Sequence, residues 1–328
     1  MALPEQLQHL SLPMVAAPMF LASGPQLVIE TCKAGAVGAF PALNRRDSQG
    51  FEQWLVDIRS ALADYESATG TQAAPYAVNL IVHKSNGRLD ADLALCVKHK
   101  VPIVITSLGA ASSVVDAVHQ YGGLVFHDVI SIRHARKAAA ANVDGLIAVT
   151  AGAGGHAGSI NPFALVAEIR QFFDKTLLLA GAMSSGRDIA AAQMMGADLA
   201  YMGTRFLATE ECQVSDAYKQ MVIDSTANDI IYTPKISGVN ANFLRASLER
   251  AGLDPDSLKH ESTGLNLQSA SGQKHDGAWR DIWSAGQGVG SISGKSLAGD
   301  LIEQLKQEYL KALEQGQQHY LKYRTISN

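Results

Sequence analysis

The chain has 328 residues, 27 basic against 31 acidic for a formal charge of −4, and a hydrophobic fraction of 47%. That is enough apolar material for one large or two small folded units with a sizeable core. The mild charge and the lack of a basic block interleaved with aromatics argue against nucleic acid as a partner, and no apolar run approaches the roughly 18 residues of a membrane span.

The first residues, MALPEQLQHLSLP, lack the basic and apolar regions of a secretion signal, so a cytoplasmic protein is expected. Cys32, Cys96 and Cys212 are odd in number and far apart, which fits buried small hydrophobes better than a disulfide framework or a metal site. Short apolar, β-branched runs then recur at 13–20, 36–42, 76–82, 101–107, 123–129, 145–151, 176–182 and 199–206. Their near-continuous apolarity suits strands of a parallel sheet buried on both faces. Helix-period segments alternate with them at 25–33, 51–65, 91–99, 112–120, 132–141, 162–173, 187–195 and 214–225. Eight such units predict an α/β fold, a (β/α)8 TIM barrel over residues 1–225, with a doubly wound sheet as the alternative. After residue 225 the rhythm breaks. Residues 226–290 read as an irregular lid-like segment, and a charged helix at 296–323 closes the chain on the outside of the barrel.

In such a barrel the chemistry sits at the C-terminal ends of the strands. Here those ends carry Ala17-Pro18-Met19, Asn79, Ser107-Leu108-Gly109, His127-Asp128, a loop GAGGHAG, Gly181-Ala182-Met183 and Gly203-Thr204-Arg205. The last two follow strands seven and eight, where glycine backbone N–H groups and a helix start at Ser184-Ser185-Gly186 suit a phosphate. The plainer alternative is that these glycines only make tight turns. GAGGHAG meets the loose dinucleotide fingerprint G-x-G-x-x-G/A but does not run straight into a helix, because Asn161 and Pro162 form the helix start several residues later. Gly294-Lys295-Ser296 is a second near miss, since a phosphate-binding P-loop needs glycine where Val289 stands. The loop therefore reads as a site wall, with Gly155 and its neighbours leaving room for a planar group. His156 is the one titratable residue over that space, suited to general acid–base work. The alternative is a histidine bonded to a nearby carbonyl. His83 and His127, near strand ends, are second-rank candidates, while His99, His119 and His134 fall on predicted helices and read as solvated.

AAPM (16–19), VNL (78–80), AGGHAG (153–158), AGAMSSGR (180–187), MGTRFLAT (202–209) and IWSAGQGVG (282–290) together resemble the nitronate monooxygenase family, FMN-dependent (β/α)8 enzymes. The resemblance implies roles for matching positions. Ala17, Pro18 and Met19 would lie beside the isoalloxazine ring, and Asn79 would hydrogen-bond its polar edge. Gly181, Ala182, Gly203 and Thr204 would hold the phosphate, Gln287 would close the pocket, and His156 would be the catalytic base. Asp128 departs from the pattern, since some relatives place a lysine there near the flavin. The implied reaction is oxidation of alkyl nitronates, and of nitroalkanes, by dioxygen to a carbonyl compound and nitrite. Two rivals are an FMN-dependent NAD(P)H reductase of quinones or enoyl thioesters and a non-catalytic barrel binding a phosphorylated ligand. Tyr232, Lys235, Ile236 and Phe243 are expected to shape the substrate entrance, and 242–250 reads as an amphipathic helix. A homo-oligomer is compatible with all of this, and the sequence calls for no metal.

Overall fold

A computed structural model describes residues 3–109, 112–258 and 281–326. Eight short strands, each hydrogen-bonded to the next and the last to the first, close into a parallel barrel. They are β1 (Met14–Ala16), β2 (Val37–Pro41), β3 (Tyr76–Ile81), β4 (Ile103–Ser107), β5 (Leu124–Val129) and β6 (Gly145–Val149), then, after a two-residue strand β7 (Gly155–His156) outside the barrel, β8 (Thr176–Ala180) and β9 (Leu199–Met202). Helices α1 (Pro25–Lys33), α2 (Ser48–Thr69), α3 (Leu89–Lys98), α4 (Ser112–His119), α5 (Ile132–Ala140), α6 (Pro162–Arg170), α7 (Gly186–Met194) and α8 (Asp216–Asp224) alternate with the barrel strands. The expected TIM barrel is therefore present, and the doubly wound alternative is excluded by the β9–β1 pairing of Val15 with Tyr201 and Ala16 with Met202.

The strands are shorter than the apolar runs that predict them. β1 ends before Pro18, which lacks the N–H a ladder needs, and β9 ends before Gly203. The apolar residues beyond these points line the strand-end loops instead. The period of two places Ala77, Ile103, Ile105, Phe126, Ile147, Leu178 and Leu199 inside the barrel, where Leu7 joins them. The alternate residues, among them Val78, Val104, Val125 and Leu177, pack outward against the helices. The same parity carries one step further up the strands. Asn79, Ser107, Asp128 and Tyr201 follow the inward-facing Ala77, Ile105, Phe126 and Leu199 by two residues, so they form the polar top layer of the interior.

Beyond residue 225, strands β10 (Ile230–Thr233) and β11 (Ala241–Leu244) form an antiparallel sheet with β7, and α9 (Arg245–Arg250) follows. The expected helix over 242–250 forms only from Arg245 onward, its first three residues being strand, because Asn242 pairs with Tyr232 and Gly155. The long closing helix α10 (Ala298–Ile326) packs against α7 and α1, burying Leu301, Ile302 and Leu305. No helix among the described residues is long and apolar enough to cross a membrane. All three cysteines are buried thiols, and burial pushes those of Cys32 and Cys212 up to about 12 and about 11.

Candidate active site

A cleft of about 1870 Å³ opens over the C-terminal ends of the barrel strands. Ala17, Pro18, Met19, Asn79, Asp128, Gly155, His156, Gly181, Ala182, Gly203 and Thr204 all line it. Its volume exceeds the roughly 300–1,000 Å³ of an ordinary single-ligand pocket, so it has room for two groups side by side. The β1–α1 loop that forms one wall is tied down by side chains that the sequence does not single out. Asn44 donates to the carbonyls of Met19 (3.0 Å) and Ser23 (2.7 Å) and accepts from Leu21 N–H (2.9 Å). These bonds hold Leu21 in a left-handed conformation, φ 59°, that leucine disfavours.

The glycines around His156 have a different job from making room for a ligand. A Cβ on Gly286 would stand 2.5 Å from the Gly152 oxygen and 2.8 Å from the Gly154 nitrogen, and one on Gly154 would stand 3.0 Å from the Gly286 nitrogen and the Thr204 hydroxyl. The two glycine-rich segments, 152–155 and 286–290, are stripped so that their backbones can lie against each other. Gly152 C=O accepts from the N–H groups of Gln287 (2.8 Å) and Ala182 (3.3 Å), and Gly286 N–H donates to Thr204 Oγ1 (2.8 Å). Only Gly155, with φ 69° and nothing within 4 Å, stands at open space. Gln287 is not among the cleft-lining residues, and its side chain lies over Gly152. A Gly286→Ala substitution is expected to destabilise the protein by about 1–3 kcal/mol through overpacking of backbone on backbone. A thermal melt within a degree of the parent would contradict this packing.

His156 is held by a sheet rather than by a loop. It pairs with Ala241, while Gly155 N–H donates to Ser284 Oγ (2.8 Å), which in turn donates to Asn242 C=O (2.5 Å). The Asn242 amide donates to Ala153 C=O (2.6 Å) and Tyr232 Oη to Ala157 C=O (3.0 Å). The ring is exposed to the cleft, and partial desolvation by the surrounding cleft walls holds its pKa below the ordinary imidazole value. His156 is therefore neutral, and so able to accept a proton, at neutral pH.

The floor carries a linked trio. Asn79 Nδ2 donates to Ser107 Oγ (2.7 Å), which donates to Asp128 Oδ2 (2.5 Å). Burial pushes the Asp128 carboxyl up to about 6 against the opposing effect of the Ser107 bond. Ser107 stands at one of the strand ends that the sequence marks but is given no role there, although its parity with Ile103 and Ile105 marks it as inward-facing. His127 has the opposite parity. Its Nδ1 meets Thr106 Oγ1 at 2.7 Å, and burial lowers its pKa to about 4, so it stays neutral. Of the histidines expected to be solvated, His99 is buried and bonded to Glu52 (2.8 Å), while His119 is half-buried and meets Asp144 (2.8 Å).

The first turn of α7 is not available to an anion. Its N–H groups at Ser184 and Ser185 donate to Asp188, which completes a capping box, and that of Gly186 donates to Glu308 of α10. The neighbouring N–H groups of Met183 and Gly203 donate to nothing among the described residues and border the cleft, so phosphate-binding capacity rests there. At the mouth, Lys84 and Lys137 stand with His83 and His134, whereas Asp128 is the one carboxylate among the described lining residues. Of the expected entrance residues only Tyr232 lines the cleft. Phe243 is fully buried in a small core with Ile236 beside it, and Lys235 donates to Ser257 C=O (2.9 Å). Part of that expected entrance, 259–278, lies outside the described residues. Among the described residues no group of three His, Cys, Asp or Glu is arranged to hold a metal ion.

Comparison with known proteins completes the picture. The family model of nitronate monooxygenase matches residues 44–308. A nitronate monooxygenase of Paraburkholderia phytofirmans is 27% identical over 92% of this chain and 93% of its own length. The solved structure of a nitroalkane oxidase from Streptomyces ansochromogenes superposes with a TM-score of 0.75 at 27% identity, covering 93% of this chain and 98% of that one. FabK from Thermotoga maritima, with a TM-score of 0.79 at 23% identity over 95% and 97% of the two chains, shares the fold. The barrel, the histidine-bearing wall of its cleft and a match over most of the chain lead to one conclusion: the protein belongs to the nitronate monooxygenase family of oxidoreductases.

Proposed function

We propose that the protein oxidises alkyl nitronates, and the nitroalkanes that give rise to them, with dioxygen and bound FMN, yielding a carbonyl compound and nitrite. The observation that carries this reading is the placement of an imidazole with a lowered pKa, His156, on the wall of one cleft whose other surfaces suit a flavin. The residues present fit that cofactor. Unspent N–H groups at Met183 and Gly203 suit its phosphate, apolar Ala17 and Met19 suit its ring, and the buried Asp128 Oδ1, unpartnered among the described residues, can meet a polar ring atom. FMN, when bound, supplies the electron transfer between nitronate and dioxygen.

The chain's own residues do the rest. His156 takes the α-proton of a neutral nitroalkane onto a ring nitrogen. The resulting nitronate is an anion, which Lys84 and Lys137 at the mouth attract. The sheet formed by β7, β10 and β11 fixes His156 against drift, which matters because general-base catalysis depends on a constant donor–acceptor distance. Neither an oligomeric state nor a partner macromolecule enters this reaction.

A second reading, an NAD(P)H-dependent reductase, draws on the spare volume of the cleft and its lysine-bearing mouth, which would accept a dinucleotide's phosphates. Anaerobic mixing separates the two. The FMN-loaded protein is expected to lose its visible flavin absorbance with propyl-1-nitronate and to keep it with NADH or NADPH. Rapid bleaching by a reduced nicotinamide, with none by the nitronate, would replace the first reading by the second.

A further inference from the structure

The protons of the floor trio can be placed. The Asn79 amide donates to both Ile105 C=O (3.2 Å) and Ser107 Oγ (2.7 Å), so Ser107 accepts from Asn79 and turns its own hydroxyl proton onto Asp128 Oδ2 (2.5 Å). Oδ2 is therefore an acceptor, and a proton on this carboxyl sits on Oδ1. That atom is buried and has no hydrogen-bond partner among the described residues. Leaving a carboxylate oxygen in that condition is costly unless it is neutralised or meets a partner from the cleft. No cation faces it. From β3 and β4 come the Asn79 amide and the Ser107 hydroxyl, and Ile147 of β6 pairs beside it. From β9 comes the Tyr201 phenol, whose pKa is raised by burial and by Asp128, so it stays neutral. His127 on the same strand faces outward to Thr106, where His134 and Lys137 of α5 act on it, and desolvation keeps His156 of the cleft wall neutral.

We propose that Asp128, in its neutral form, carries its proton on Oδ1 and donates it as a hydrogen bond to an acceptor atom of the flavin ring seated on the cleft floor. Asn79 and Ser107 have spent their protons within the trio, so Oδ1–H is the only donor the trio can offer upward. The proposal rests on the flavin reading above, but it is separable from it. Burial, opposed by the Ser107 bond, pushes this carboxyl up to about 6. The donor is thus present in acid and lost as pH rises through that value, when the ionised carboxylate would face an electron-rich ring atom instead.

The test uses the full-length protein, Asp128→Asn, which keeps an N–H donor but cannot ionise, and Asp128→Leu, which keeps neither. Infrared difference spectra of the cofactor-free proteins, wild type minus Asp128→Asn, should show a protonated-carboxyl band at pH 5 that disappears by pH 8. FMN affinity, read by quenching of flavin fluorescence, should weaken over the same range about tenfold more in wild type than in Asp128→Asn, the size of one hydrogen bond to a charged or unsatisfied group. The ionisation of the FMN phosphate is common to both proteins and cancels. Asp128→Leu should bind weakly at every pH. Absence of the infrared band at pH 5 would overturn the proposal, as would wild-type affinity that tightens toward pH 8 or parallels that of Asp128→Asn. Failure of all three proteins to bind FMN would sink the cofactor reading instead, and the infrared band, which needs no flavin, would still decide the acid.

Discussion

His156→Asn is expected to lower kcat/KM for a neutral nitroalkane by about 10²–10⁴-fold, the usual contribution of a positioned general base, while changing turnover of the preformed nitronate by less than about tenfold. The asymmetry follows from the chemistry. A nitroalkane must lose a carbon-bound proton before it can be oxidised, and a nitronate has already lost it. The pH profile carries a second signature. Partial desolvation lowers the pKa of His156 from its ordinary value, so the ring becomes a competent base as pH rises through that lowered value. The wild-type nitroalkane rate should therefore climb with pH and level off below the pH where free imidazole, near 6.5, would do so. The His156→Asn profile should lose that limb. Equal loss on both substrates would reassign His156 from proton removal to binding, and no loss on either would remove it from the reaction. Because β7 fixes this residue through Ala241, a circular dichroism spectrum matching the parent should accompany the kinetics.

The largest expected effect on stability comes from the opposite side of the cleft. At Gly186, the first residue of α7, a Cβ would stand 2.0 Å from the Leu305 oxygen and 2.4 Å from the Tyr309 nitrogen of α10. Both are helix backbone and cannot swing aside, so Gly186→Val must lift α10 from α7. That would uncover Leu301, Ile302 and Leu305, each worth about 1.5–3 kcal/mol when fully buried. It would also break the bond from Gly186 N–H to Glu308 (2.8 Å), leaving the start of α7 short of an acceptor. A loss of at least about 3 kcal/mol is expected, at the upper end of overpacking effects. Urea unfolding should show a lowered midpoint, and limited proteolysis should cut within α10 before the barrel. A midpoint equal to the parent's would mean that the crossing of α7 and α10 is looser than the structure shows.

Most of the architecture was legible because it depends on local patterns. Apolar runs at 76–82 and 145–151, alternating with helical periods, announce β3, β6 and the barrel they belong to. Asn161-Pro162 and Ser185 mark the starts of α6 and α7 by their side chains alone, and both caps are made, at Phe163 N–H (3.0 Å) and Asp188 N–H (3.2 Å). Resemblance of motifs carried the family, which the match over residues 44–308 shows. Three readings failed for a common reason. The glycines of 152–155 looked like a clearing, the helix predicted over 242–250 looked amphipathic, and Phe243 looked like an entrance residue. Each of these segments is shaped by residues outside its own local pattern: 286–290 against 152–155 and β7 against β11, both far apart in sequence, and Phe243 by a satellite core that reaches from Ile231 to Ile282.

By itself, then, the sequence determined the barrel, its order of elements, the strand ends where chemistry collects and the family. These follow from periodicity, capping and short motifs, which act within a dozen residues. Only the tertiary structure decided what the individual groups can do. It sets His156 in a short sheet and desolvates it, and it spends the N–H groups of α7 on Asp188 and Glu308. It also brings Asn79, Ser107 and Asp128 from three strands into one hydrogen-bonded line. Proton affinity and hydrogen-bond satisfaction depend on every neighbour within a few ångströms, and in a closed barrel most of those neighbours come from distant parts of the chain.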